Sequence, residues 1–294
     1  MKPIKGSIVA LVTPFKEDES VDFQRLEETI ECQIKNGTDG ILVLGTTGES
    51  TTMTHEEDDE VARFTIDKVH GRVPVIVGAG SNSTQTQLEK SIKYSKMKAD
   101  ALLLISPYYN KANTQGMIRH FTVCADAADC PVILYNIPGR TGCMISEEVV
   151  KVLSQHPNIC GIKEASGNIS YATSIARYIN DDFAMYSGND DMITSLLSIG
   201  ASGVISVLSN ILPKQTHDMV ELFHEGKVKE SLQLQLKYLD VIHALFCEVN
   251  PIPVKEAMRL MGMPVGGYRL PLCEMSLENQ KRLHDALREV GLCK

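Results

Sequence analysis

Apolar residues along this chain fall into two alternating rhythms: short unbroken runs, and longer stretches in which they return every third or fourth position. The first short run is 8–12 (IVALV). Behind Asp22, an N-cap type of residue, Phe23, Leu26, Ile30 and Ile34 follow at helical spacing and stop near Asn36-Gly37. A second run lies at 40–44, and Val61, Phe64, Thr65 and Val69 mark the helix that leads to a third at 74–78. A helix from about Thr84 precedes the run 101–105, and one from Thr114 precedes 132–135. Ser146 caps a helix carrying Val149, Val150 and Leu153, which feeds 159–163. A helix at 170–180 precedes 183–186, and one at 192–199 precedes 203–207.

Short apolar runs joined by helical crossovers make a parallel sheet. Eight such runs, seven of them reached through a helix, predict an α/β fold closed into a (β/α)8 TIM barrel. An open doubly wound sheet is the competitor, but no G-x-G-x-x-G follows the first run. After about residue 226 the strand signal stops. Helices are predicted at 227–246, 252–261 and 276–290, broken at Pro251, Pro253, Pro264 and Pro271. The expected division is a barrel over 1–225 and a C-terminal helical extension over 226–294.

Composition narrows the partners. The 294 residues are 43% hydrophobic and 22% charged, ordinary for a globular protein with a sizeable core. A formal charge of −8 argues against nucleic acid or an anionic membrane as the main partner. The run at 8–12 is too short for a signal-peptide core, and no apolar stretch approaches the roughly 20 residues of a membrane span. A cytoplasmic location is expected. The eight cysteines are scattered with no C-x-x-C, and no two of the eight histidines lie within five residues of each other. Neither disulfides nor a metal site is expected.

In such a barrel chemistry sits at the C-terminal ends of the strands. Those ends read Gly45-Thr46-Thr47-Gly48-Glu49-Ser50, Ser106-Pro107-Tyr108-Tyr109-Asn110, Tyr135-Asn136-Ile137-Pro138-Gly139-Arg140-Thr141-Gly142, Lys163, Ser187-Gly188-Asn189 and Ile205-Ser206. Lys163 is the centre of interest. Burial disfavours its ammonium form, and a neutral amine attacks carbonyl carbon as Schiff-base enzymes do. It could instead snorkel to the barrel mouth or pair with Glu164. Thr46-Thr47 between glycines could cap a helix or hold a carboxylate. Arg140 could be a surface charge or the bidentate partner of a substrate carboxylate. Tyr135 could pack or move a proton, and Tyr108-Tyr109 could pack or form a subunit contact. Lys255, a rival nucleophile, is expected to make an exposed ion pair on a helix of the extension.

These motifs resemble the dihydrodipicolinate synthase family of pyruvate-dependent class I aldolases, a group that also includes N-acetylneuraminate lyase. The matching segments run nearly end to end: VTPF at 12–15, GTTGES at 45–50, SPYYN at 106–110, YNIPGRTG at 135–142, GIKEASG at 161–167, SGND at 187–190, GVISV at 203–207 and NPIPVK at 250–255. The resemblance implies condensation of pyruvate with L-aspartate 4-semialdehyde, giving 4-hydroxy-tetrahydrodipicolinate for lysine and diaminopimelate synthesis. It implies that Lys163 forms the Schiff base and that Tyr135, Thr46 and Tyr109 relay protons. Thr47 would hold the pyruvate carboxylate, Ile205 would offer a main-chain contact, and Gly188 would also line the substrate. Arg140 would bind the semialdehyde carboxylate. No metal or organic cofactor is implied. Tyr109 would be lent by a neighbouring subunit of a homotetramer, a dimer of dimers.

Ser50, His55, Asn82 and Tyr108 match the pattern of a lysine-feedback site. Asp58 stands where a second histidine would be, and Thr86 stands in place of a glutamate. Weak or absent feedback is expected. The alternatives are another pyruvate aldolase, such as a sialic acid or 2-keto-3-deoxy sugar-acid lyase, and a non-catalytic binding paralogue.

Overall fold

A computed structural model describes residues 3–263 and 265–294; the break expected at Pro264 lies outside the described residues. The chain alternates strand and helix as the apolar rhythm requires. It begins β1 (Gly6–Ala10), α1 (Phe23–Lys35), β2 (Gly40–Val43), α2 (His55–Val69), β3 (Val75–Gly78), α3 (Thr84–Lys96) and β4 (Ala101–Ile105). It continues α4 (Thr114–Ala127), β5 (Val132–Asn136), α5 (Pro138–Thr141), α6 (Glu147–Leu153), β6 (Ile159–Glu164), α7 (Ile169–Ala176) and β7 (Ala184–Ser187). Then come α8 (Ile193–Ser198), β8 (Gly203–Ser206), α9 (Pro213–His224), α10 (Val228–Lys237), α11 (Leu239–Ala244), α12 (Ile252–Leu260) and α13 (Leu277–Glu289).

All eight strands pair in parallel in chain order, and β8 returns to β1 through Gly6 opposite Gly203, so the sheet closes into a TIM barrel. Closure separates two apolar layers. Ile8, Leu42, Ile76, Leu103, Ile133 and Tyr186 fill the barrel, while alternate strand residues such as Val9, Val43 and Leu104 pack outward on the helices. Polar side chains start the helices where the sequence places them. Asp22 accepts from the Arg25 N–H, and Thr54 with Glu57 forms a reciprocal capping box on α2.

Two expectations need correction. The stretch 227–246 is two helices, α10 and α11, which meet at the buried Tyr238, where the backbone leaves helical dihedrals (φ −103°, ψ 10°). α9, the eighth barrel helix, was not anticipated. Its first half (PKQTHD) is mostly polar, and its buried side alternates Pro213 and Thr216 with the apolar Met219 and Val220, which leaves little apolar periodicity to read.

Candidate active site

The lysine at the end of β6 points inward because of one extra residue. Val132 of β5 pairs with Ile159, but the next residue, Ile133, pairs with Gly161, so Cys160 forms a bulge. Cys160 faces the barrel interior and Ile162 faces the helices, although residues two apart in a regular strand share a side. The bulge thereby resets the alternation and sends Lys163 into the barrel mouth. Glu164 turns the other way and accepts from Asn136 Nδ2 and the Ser166 N–H, both at 2.7 Å, so it is not the partner of Lys163.

Lys163 is 6% exposed, with Nζ 4.5 Å from the ring centre of Tyr135, its paired neighbour on β5. Burial pulls its pKa down to about 8; the carboxylate of Asp190 opposes this and the charge of Arg140 adds to it. At that value about a tenth of the amine is neutral at pH 7, against about one part in three thousand for an ordinary lysine. That difference is what makes it a nucleophile. Burial pushes the Tyr135 phenol the other way, up to about 12, with the Arg140 charge and the Thr46 hydroxyl easing its ionised form. The phenol therefore stays protonated, a donor beside the amine.

The loop after β2 supplies hydroxyls. Leu44 (φ 57) and Glu49 (φ 55) are non-glycine residues in left-handed conformation, and they bracket a tight turn at Thr46–Gly48. Thr47 is buried and accepts a hydrogen bond from Asn250 Nδ2 at 3.0 Å. Arg140 stands on the short α5, and its Nη2 donates to the backbone carbonyl of Asn250 at 3.1 Å. Lys163, Tyr135, Thr46, Thr47, Arg140 and Gly188 line one cavity of about 40 Å³ together with Asn250.

Gly188 contributes space. A Cβ there would lie 3.0 Å from Lys163 Cε and 2.6 Å from the Ala165 Cβ, and its N–H is already given to the Glu164 carbonyl. Ile205 follows the last β7–β8 pair, Ser187 with Val204, so on that side its backbone has left the ladder. Just beyond it, buried Asp190 accepts from the N–H groups of Val207 and Leu208 at 3.0 and 2.9 Å.

Other candidates lie apart from Lys163. Tyr109 is 91% exposed and left-handed (φ 68), so it points away from its own barrel. Tyr108 and Ser50 line a neighbouring hollow of about 90 Å³ that shares Thr46 and Tyr135 with the first. Ser50 donates to Asp58, and Lys90 pairs with the same carboxylate at 2.8 Å. His55 is exposed at the start of α2, and the backbone carbonyl of Asn82 accepts from Asn110. Thr86 lies on α3.

Lys255 corrects an expectation. Its side chain is wholly enclosed, with Nζ 2.7 Å from Glu49 Oε1 and 2.7 Å from the Gly267 carbonyl, 4.4 Å from the Phe15 ring centre. α12 lays its first turns against the barrel, where an exposed pair is sterically impossible. Asn250 and Asp190 lie within the NPIPVK and SGND motifs with no sequence signal of what they hold; their partners are distant in sequence, and only the fold reveals them.

The Dihydrodipicolinate synthetase family model matches residues 3–290. This chain belongs to that family. It is accordingly an enzyme, a carbon–carbon lyase or synthase of the class I aldolase type. The 4-hydroxy-tetrahydrodipicolinate synthase of Caldicellulosiruptor saccharolyticus is 52% identical over 292 residues, 99% of either chain. Among solved structures, the DHDPS of Cyanidioschyzon merolae with lysine bound is 42% identical with a TM-score of 0.95, covering 98% of this chain and 99% of that one. The chloride-inhibited dihydrodipicolinate synthase of Acinetobacter baumannii in complex with pyruvate is 39% identical with a TM-score of 0.96, covering 99% of this chain and 100% of that one.

Proposed function

We propose that this member of the family is a 4-hydroxy-tetrahydrodipicolinate synthase. It condenses pyruvate with L-aspartate 4-semialdehyde through a Schiff base on Lys163, a cytoplasmic step of lysine and diaminopimelate synthesis. The observation that carries the reading is the buried lysine with its pKa lowered to about 8, placed in one cavity with Tyr135, Thr47 and Arg140.

The residue roles are those the family resemblance implies, and the chemistry of the site fits them. The neutral amine attacks the ketone carbon of pyruvate, water leaves, and the resulting iminium draws electrons from the methyl carbon so that a proton can depart. The enamine then attacks the aldehyde. Tyr135, still protonated at neutral pH, and Thr46 move protons at the imine, with Tyr109 completing the relay. Thr47 holds the pyruvate carboxylate, and Ile205 offers main-chain atoms beside it. Arg140 binds the carboxylate of the semialdehyde. Gly188 keeps open the room in which the lysine reacts. As the family resemblance implies, Tyr109 serves the site of a second copy in a homotetramer built as a dimer of dimers, a role its exposure leaves open to it.

Feedback by lysine is weak or absent. Asp58 is already engaged by both Ser50 and Lys90, so an incoming ammonium finds that carboxylate occupied. Strong inhibition by lysine that Asn82→Ala or Tyr108→Ala removed would overturn this.

Borohydride reduction with pyruvate, followed by mass spectrometry, tests the whole reading. A reduced pyruvate adduct on the peptide carrying Lys163 is expected, with product formed when the semialdehyde is supplied. No adduct on Lys163 would leave a binding paralogue. An adduct with turnover only of polyol aldehydes would leave a sugar-acid lyase, which the guanidinium of Arg140 disfavours.

A further inference from the structure

The substrate groups belong to loops that the barrel does not itself join. Thr47 follows β2, and Arg140 stands on α5 after β5. What joins them is Asn250, just ahead of α12. Its Nδ2 donates to Thr47 Oγ1 at 3.0 Å, and its backbone carbonyl accepts from Arg140 Nη2 at 3.1 Å. The residue is 5% exposed and lines the same cavity as Lys163.

We propose that Asn250 is the positioning residue that sets Thr47 and Arg140 relative to each other, and so couples recognition of the two substrates. The inference rests on the synthase reading. Three observations carry it. First, the direction of the bond matters: an amide N–H given to Thr47 Oγ1 occupies a lone pair and leaves the hydroxyl proton free for a substrate carboxylate. Second, the amide is not placed there for its own stability, because its Oδ1 is buried with no donor among the described residues. Third, the same segment is fixed to the same loop at a second point. Lys255 pairs at 2.7 Å with Glu49, two residues after Thr47, so the segment 250–255 is tied to the loop 46–49 at two points.

The test uses the whole chain with Asn250→Ala, Asn250→Asp, Thr47→Ala and the double variant Thr47→Ala/Asn250→Ala. Asn250→Ala keeps the backbone carbonyl that Arg140 uses but unties it from Thr47. The variant is expected to raise the KM for pyruvate roughly tenfold and that for the semialdehyde a few-fold, with kcat within about threefold of the parent. Asn250→Asp, nearly the same shape, is expected to raise the pyruvate KM at least as far, because its carboxylate claims the Thr47 proton and repels the incoming anion. The double variant should match Thr47→Ala alone in pyruvate KM, since Asn250 acts on pyruvate through Thr47.

KM values within twofold of the parent in both single variants would overturn the proposal. So would additive losses in the double variant, or a loss confined to the fraction of sites trapped by borohydride with KM unchanged. The latter marks a merely structural role. A parent enzyme that failed to condense the two substrates would sink the synthase reading instead.

Discussion

Two lysines are buried at the mouth of this barrel; burial pulls the pKa of both down, and they differ in what opposes it. Lys255 has a carboxylate and a carbonyl at 2.7 Å, and the faces of Phe15 and Tyr268 cover what remains of its charge. Lys163 has no ion-pair partner among the described residues; the nearest compensation is the Tyr135 ring at 4.5 Å and the more distant charge of Asp190. Paired, a buried ammonium is a structural tie. Unpaired, it holds its proton less firmly, and the neutral fraction that results is a nucleophile. Burial alone therefore does not identify a reactive lysine. The supply of carboxylate around it does.

Substitution at each position puts that contrast at risk. Lys163→Met should abolish the borohydride adduct and lower turnover by on the order of 10³-fold or more, because no other side chain in the cavity can form an imine. Residual adduct on Lys255 in that variant would show that pairing does not protect an amine from reaction. Next in size is Lys255→Met, which strands Glu49 in the interior and should cost about 3–5 kcal/mol in urea unfolding. Replacing both, with Glu49→Leu, should restore most of the loss. A single variant as stable as the parent would mean that the pair is solvated after all.

The same methionine at position 163 should do the reverse. With the folded pKa near 8 and the unfolded value near 10.5, the unfolded chain binds the proton that the folded chain sheds. Folding thus carries a full penalty below about pH 8, and that penalty fades as pH rises toward 10.5. Lys163→Met should gain on the order of 2–3 kcal/mol at pH 7 and should lose the rise in stability through that window. Urea midpoints measured from pH 7 to 10.5 decide it. A destabilised Lys163→Met would place a compensating partner on the ammonium and erase the distinction between the two lysines.

Much of this was legible in the chain because a parallel barrel writes its core as uninterrupted apolar runs and its chemistry as the residues that end them. Lys163, Thr46, Thr47, Tyr135 and Arg140 could be placed at one rim on that ground alone. What was not legible has a common cause, contact between parts remote in sequence. Asn250 meets Thr47 across 203 positions and Lys255 meets Glu49 across 206, and no local pattern distinguishes such a lysine from one on an exposed helix. The Cys160 bulge escaped for a different reason. Ile-Cys-Gly-Ile-Lys is apolar on both sides, as a strand buried on both faces must be, so a slip in its alternation leaves no mark on the sequence. Yet that slip decides whether Lys163 or Glu164 faces the cavity.

The smallest effect tests the finest part of the contrast, the distant charge. Asp190 is fully enclosed, and burial holds its carboxyl above the ordinary aspartate range against the N–H groups of Val207 and Leu208 and the pull of Lys163. Of the charges that act on the lysine, Asp190 alone favours its protonated form, while Arg140 disfavours it. Asp190→Asn keeps an oxygen for the two N–H groups and removes the charge, exchanging the other oxygen for an amide donor beside Ser206. The midpoint of the pH dependence of pyruvate trapping, near 8 in the parent, should then move lower. The rate at pH 7 should rise by roughly two- to fivefold as more of the amine becomes neutral. A midpoint that moved upward would show that Asp190 acts on the lysine through the position of the β8 loop, and that partial pairing plays no part in setting how reactive a buried amine becomes.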